Sequence, residues 1–125
     1  MMATVLVCDD ELMNRKLASK ILKKEGYDVL EATNGQEAID LLQNNRIDLI
    51  LMDLMMPKMD GYEAIKIIKK DVNTSTIPLI IISALSDKEA INKGLSLSAY
   101  EYLTKPFDLI EFRLRIANSM KIGDM

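Results

Sequence analysis

The chain has 125 residues, a formal net charge of −3, 49% hydrophobic and 28% charged residues. That length and balance fit one soluble globular domain with a full core, and the acidic net charge argues against direct nucleic-acid binding. No apolar run is long enough to span a membrane, no signal-peptide layout is present, and the single Cys8 cannot form an internal disulfide, so the expected setting is cytoplasmic.

There is no histidine anywhere in the chain. A histidine base, a histidine metal ligand and a phosphohistidine are therefore excluded within it. With one cysteine, a thiolate zinc site is excluded as well. Any chemistry must come from carboxylates, hydroxyls, lysines and the backbone.

In chain order, Thr4 to Cys8 (TVLVC) reads as a first strand and ends in Asp9-Asp10-Glu11. Leu12, Leu17, Ile21 and Leu22 recur at helical spacing, with lysines and Arg15 between them, and Gly26 closes that helix. Tyr27 to Ala32 reads as a second strand. A second helix opens at Asn34, with Ala38, Ile39, Leu41 and Leu42 as its apolar side. Leu49 to Met52 (LILM) is apolar without alternation, as a strand buried on both faces would be, and it delivers Asp53 at its end. A third helix opens at Asp60-Gly61, and Asp71 to Thr76 is a polar loop. Leu79 to Ile82 is a fourth strand, ending at Ser83. A fourth helix opens at Ser86. Tyr100 to Leu103 is a short fifth strand leading into Lys105-Pro106. A last helix runs from Asp108 to about Met120, leaving 121–125 as a frayed tail of a single domain, 1–125. Four helix starts, Asn34/Glu37, Asp60/Glu63, Ser86/Glu89 and Asp108/Glu111, carry a cap residue three before a Glu. The acids Asp60, Asp87 and Asp108 are accordingly read as belonging to helix starts rather than to chemistry.

Five strands alternating with five helices through short loops imply parallel strands joined by right-handed crossovers. All strand C-terminal ends then lie on one sheet edge. That edge collects Asp9, Asp10, Asp53, Ser83 and Lys105. Three carboxylates together repel, and one lysine does not neutralise them, which favours a divalent cation. Ligation by oxygen alone suits Mg²⁺ or Mn²⁺. Met52, Met55, Met56 and Met59 are read as core and loop packing, because thioethers suit soft metals. Cys8 is read as a small buried hydrophobe.

An acidic pair after strand one, DLMMPKMDG around Asp53, a Ser after strand four and Lys-Pro-Phe after strand five resemble the receiver domain of two-component response regulators across essentially the whole chain. The resemblance implies an α/β fold, a flavodoxin-like (βα)5 doubly wound five-stranded parallel sheet of order 2-1-3-4-5. It implies that Asp53 is the phosphoacceptor for a phosphoryl group from a partner histidine kinase or phosphotransfer protein, with no separate turnover substrate. Asp10 would be the principal acid for Mg²⁺, Asp9 would act directly or through water, and the backbone carbonyl of Met55 would be a further ligand. Lys105 would pair with Asp53, and the Lys105-Pro106 bond would be cis. Ser83 and Tyr102 would be the switch pair, acting on a face of helix 4, strand 5 and helix 5 that contacts a downstream protein or output domain. Ser98 and Tyr100 stand where relatives often have a Gly and an acid. Met55 and Leu85, flanking the site, are both apolar and cannot orient a hydrolytic water, so slow self-dephosphorylation is expected. Three other readings compete. A Mg²⁺-dependent aspartyl-phosphate hydrolase would need a second acid where Met55 stands. A nucleotide or flavin binder would need a glycine-rich phosphate loop, which is absent. A receiver used only for docking would not need the complete set of site residues.

Overall fold

The computed structural model describes residues 3–56, 59–85, 88–97 and 99–123. The expectations for Pro57, Ser86, Asp87 and Ser98 lie outside the described residues. Five strands alternate with five helices: β1 Thr4–Cys8, α1 Leu12–Lys24, β2 Asp28–Ala32, α2 Gly35–Asn44, β3 Leu49–Met52, α3 Gly61–Lys70, β4 Leu79–Ser83, α4 Lys88–Ser96, β5 Glu101–Thr104 and α5 Leu109–Gly123. The strands are all parallel and lie in the order β2-β1-β3-β4-β5. This is the doubly wound, flavodoxin-like sheet implied by the resemblance.

Alternation within the strands divides the core into two layers, because successive side chains point to opposite faces. Leu6, Cys8, Ile50, Met52, Leu79 and Ile81 face α2 and α3, where Ala38, Leu42, Ala64, Ile65 and Ile68 meet them. Val5, Val7, Leu49, Leu51, Ile80 and Ile82 face α1 and α5, where Ala18, Leu22, Phe112 and Ile116 complete the layer. All four residues of β3 are buried, as the unalternating LILM run requires.

Local signals set the element ends. Gly26 has φ +93°, and its N–H donates to the Lys23 carbonyl while the Tyr27 N–H donates to that of Leu22. This is a Schellman closure of α1. It takes the Tyr27 amide, so β2 starts at Asp28, one residue later than the sequence pattern suggests. Asn34 and Asp60 cap α2 and α3 by accepting from the Glu37 and Glu63 amides at 3.0 and 2.9 Å. Asp108 accepts from the Glu111 amide at 3.3 Å. Glu37 reaches back to the Thr33 amide rather than to that of its cap residue, at 2.8 Å. β5 begins at Glu101 rather than Tyr100, and α5 continues to Gly123, through part of the expected frayed tail. The Lys105-Pro106 peptide is cis. Among the described residues, no helix is long and apolar enough to cross a membrane.

Candidate functional site

Parallel strands bring their C-terminal ends to one edge, and the site is built there. The Asp53 amide donates to the Cys8 carbonyl at 3.0 Å and the Asp9 amide to the Ala32 carbonyl at 3.1 Å, so both acids leave the sheet in register with their neighbours. One carboxylate oxygen from each of Asp9, Asp10 and Asp53 falls within a group whose members lie within 4.8 Å of one another. Asp9 and Asp53 are buried; Asp10 is exposed. Lys105, carried by the loop after β5, bridges the two buried acids. Its Nζ donates to Asp9 Oδ2 at 2.7 Å and to Asp53 Oδ2 at 3.0 Å. The Lys105 amide is itself fixed to the Ser83 carbonyl at 2.8 Å.

The remaining oxygens of the buried acids are held by local backbone. Asp53 Oδ1 accepts from the Met55 amide at 3.1 Å, and Asp9 Oδ1 from the Glu11 amide at 2.9 Å. Behind Asp53, the start of α3 comes very close. The Gly61 amide donates to the Leu54 carbonyl at 3.0 Å, and a Cβ on Gly61 would stand 2.4 Å from the Asp53 carbonyl oxygen. Only glycine permits that approach.

The electrostatics follow from burial and crowding. Burial is the largest influence on Asp53 and pushes its carboxyl above the ordinary value; the bonds from Lys105 and the Met55 amide oppose it, and the neighbouring Asp9 charge adds to it. Burial alone would lower Lys105, but its bonds to Asp9 and Asp53 outweigh that and hold it above its usual value. Cys8, beneath the acids, is pushed up to about 12 by burial and then by the Asp53 and Asp9 charges. Its thiol lies 3.3 Å from the Asn34 carbonyl oxygen and 3.4 Å from Met56 Sδ. A thiol held this protonated is a packing group, as expected.

The all-oxygen cluster fits a hard divalent cation. Lys105 supplies one positive charge to three carboxylates, and Asp10 makes no hydrogen bond among the described residues.

Ser83 and Tyr102 meet at one residue. Ser83 is fully buried, and its Oγ accepts from the Leu85 amide at 3.2 Å. The Tyr102 hydroxyl donates to the Leu85 carbonyl at 2.6 Å. The Tyr102 ring lies against α4 at Gly94, where a Cβ would stand 3.1 Å from the ring. The Met55 side chain departs from expectation: it is 57% exposed rather than packed. Met52 is buried, and Met56 and Met59 pack on the core.

Sequence patterns did not reveal the Lys105 bond to Asp9, the role of Leu85, or Arg15. Arg15 NH1 donates to the Asp9 carbonyl at 2.9 Å, and its Nε to Glu31 Oε1, also at 2.9 Å. Burial would raise Glu31, but bonds from Lys16 and Arg15 hold its carboxyl below the ordinary value. Only the Arg/Glu polarity of positions 15 and 31 hinted at this pair.

A flavodoxin-like sheet that gathers acids and a lysine at its C-terminal edge defines the structural class. Residues 5–117 match the model of the response regulator receiver domain, and the chain belongs to that family. It is 37% identical over 109 residues to sporulation initiation phosphotransferase F of Bacillus subtilis, covering 87% of this chain and 86% of that protein. It is 38% identical over 120 residues to the probable transcriptional regulator ycf27 of Porphyridium aerugineum, covering 96% of this chain and 49% of the relative. A putative response regulator from Chloroflexus aurantiacus superposes with a TM-score of 0.93 at 30% identity, over 97% of this chain and 99% of that one. The chain thus spans about half the length of that transcriptional regulator, and 9% of histidine kinase P4 of Formosa agariphila, to which it is 40% identical. Receiver domains of this family serve two-component and phosphorelay signalling, carry aspartyl phosphate and generally bind Mg²⁺.

Proposed function

We propose that Asp53 accepts a phosphoryl group from the phosphohistidine of a partner kinase or phosphotransfer protein. The observation that carries this reading is the pair of bonds from Lys105 to Asp9 and Asp53, beside an Asp10 carboxylate without a partner among the described residues. An Asp53 oxygen attacks phosphorus, the P–N bond to the donor imidazole breaks, and the electron pair leaves with that nitrogen. The phosphohistidine lies outside these 125 residues, which contain no histidine. Asp9, Asp10, Asp53 and the Met55 carbonyl are the groups that would hold Mg²⁺, which supplies charge neutralisation for the transferring oxygens. Lys105 holds Asp53 in line beforehand and turns to a phosphoryl oxygen afterwards. The chain is modified rather than turning over a separate substrate.

The switch runs through Leu85. Ser83 Oγ has the Leu85 amide as its donor, and Tyr102 holds the Leu85 carbonyl. A phosphoryl on Asp53 offers new acceptors to the Ser83 hydroxyl. When Ser83 turns to them, the Leu85 amide loses its partner, and the balance of Tyr102 positions shifts with the β4–α4 loop. The surface formed by α4, β5 and α5 changes as a result, and a downstream protein or output domain reads it.

The test is incubation with acetyl phosphate and Mg²⁺, read by intact mass. Gain of one phosphoryl group, lost in Asp53→Asn, supports the proposal. No gain in the wild type, with the fold intact, points instead to a receiver used only for docking.

A further inference from the structure

The acid pair that would hold the cation is not supported by its own loop alone. Every polar group of Asp9 is engaged by a different segment. Its amide is bound to β2 at Ala32, its Oδ1 accepts from the Glu11 amide, its Oδ2 from Lys105, and its carbonyl from Arg15. The last of these has a consequence for Asp10. The Asp9 carbonyl and the Asp10 amide belong to one planar peptide unit, so fixing the oxygen fixes the direction in which the Asp10 Cα leaves the strand. Asp10 is exposed, and its carboxylate has no hydrogen bond among the described residues. Its placement therefore depends on that peptide plane.

Arg15 is equipped to hold the plane. Its side chain is only 11% exposed. Its planar fork spans two acceptors at once, Asp9 O through NH1 and Glu31 Oε1 through Nε. Glu31 sits on β2, paired across the ladder with Val7, and Lys16 occupies its other oxygen at 3.0 Å. The guanidinium is thus a strut from the second strand to the β1–α1 loop. A lysine could reach one acceptor but not both in a fixed geometry.

We infer that Arg15, anchored by Glu31, is a positioning residue that orients the Asp9-Asp10 peptide and so sets the cation affinity of the acid pair. This inference rests on the proposed cation site at Asp9, Asp10 and Asp53. Partners that orient metal ligands typically matter by ten- to a hundredfold in affinity.

Charge and position predict opposite signs here, which makes the inference testable. If Arg15 were only a nearby positive charge, removing it would tighten cation binding. If it orients the peptide, removing it weakens binding. Mg²⁺ is titrated into the full chain and followed by amide chemical shifts, with melting temperature measured alongside. Arg15→Met is expected to weaken Mg²⁺ about tenfold. Arg15→Lys, which keeps the charge and loses the fork, is expected to weaken it less but in the same direction. Glu31→Leu, which removes the anchor at a position not proposed to touch the cation, is expected to resemble Arg15→Met. Unchanged or tighter binding in Arg15→Met overturns the inference, as does a lowered melting temperature with unchanged affinity in both Arg15→Lys and Glu31→Leu. Failure of the wild type to bind Mg²⁺ would instead remove the cation site itself, so the two failures are distinct.

Discussion

Asp53→Asn keeps the shape of the proposed phosphoacceptor and one acceptor oxygen while removing a buried charge. Asp53 is 4% exposed, with Lys105 Nζ at 3.0 Å and the oxygens of Asp9 and Asp10 within 4.8 Å. At an effective dielectric of about 20, the attraction at that distance is about 5.5 kcal/mol, and each repulsion at 4.8 Å is about 3.5 kcal/mol. Burial of the charge is the largest influence and outweighs the bonds from Lys105 and the Met55 amide. The Asp9 repulsion adds to it, while the exposed Asp10 is screened by solvent. This is why the Asp53 carboxyl sits above its ordinary value of 3.8. An acid whose folded value is raised lowers stability progressively as pH climbs from the unfolded value to the folded one, fully above the latter and not at all below the former. Asp53→Asn is therefore expected to stabilise the cation-free protein at pH 7 by about 1 kcal/mol, or about 3–6 °C in melting temperature. The gap should vanish below about pH 3.8 and open as pH rises toward the raised folded value. Saturating Mg²⁺ should narrow it, by stabilising the wild type more than the variant. Urea or thermal melts from pH 3.5 to 8, with and without Mg²⁺, supply the comparison. A variant less stable than wild type at pH 7, or a gap independent of pH, would refute the reasoning.

Lys105→Met leaves Asp9 and Asp53 buried together without their shared cation, and a loss of about 3 kcal/mol at pH 7 is expected in chemical denaturation. Because Lys105 is held above its usual value of 10.5, its contribution persists through neutral pH. It is lost only as pH climbs through the raised value, where the variant's deficit should close. Gly61→Ala places a Cβ 2.4 Å from the Asp53 carbonyl oxygen and 2.6 Å from the Leu54 Cα. Neither backbone atom can rotate away, so about 2–3 kcal/mol of stability should be lost, together with Mg²⁺ affinity, by melts and titration. Met55→Asn alters a side chain 57% exposed, so stability should stay within about 0.5 kcal/mol. The new amide can orient a water at the phosphorylated site, and decay of the Asp53 phosphate should accelerate; an unchanged half-life by intact mass would count against the role assigned to position 55.

The sheet was legible where side-chain period is decisive. LILM before Asp53 announced a strand buried on both faces, and cap residues marked α2, α3 and α5 because the signal is local: one side chain and an amide three residues on. The strand order came from resemblance, since periodicity says which face is buried but not which strand is the neighbour. What stayed hidden was contact made by approach between distant segments. Arg15 read as one more cation on the polar side of α1, and only the position of β2 turns it toward Glu31 and the Asp9 carbonyl. Lys105 was expected beside Asp53, yet its shorter bond is to Asp9, because the loop after β5 is tied to the Ser83 carbonyl and brings the ammonium between both acids. Leu85 was legible only as an apolar side chain beside the site; its link from Ser83 to Tyr102 is made by its backbone, which carries no sequence signal.

On the proposed mechanism, these features bear on how the site would recruit both a cation and a phosphoryl donor. The site holds more negative charge than its one bridging lysine neutralises, and burial prevents water from relieving the excess. Two consequences follow from the same imbalance. A divalent cation is attracted, because it removes the repulsion that ionised Asp53 experiences. The Asp53 carboxylate is also more basic than an ordinary one while the cation is absent, and a cation held beside it lowers that basicity. Phosphorylation then replaces one crowded carboxylate charge with a group that offers more oxygens to Lys105 and the Ser83 hydroxyl. On the proposed mechanism, the carboxylate charge that lowers stability before the reaction gives way to phosphoryl charge that recruits partners after it. For that reason the Asp53→Asn gap and its narrowing by Mg²⁺ report on the charge balance of the site as well as on folding.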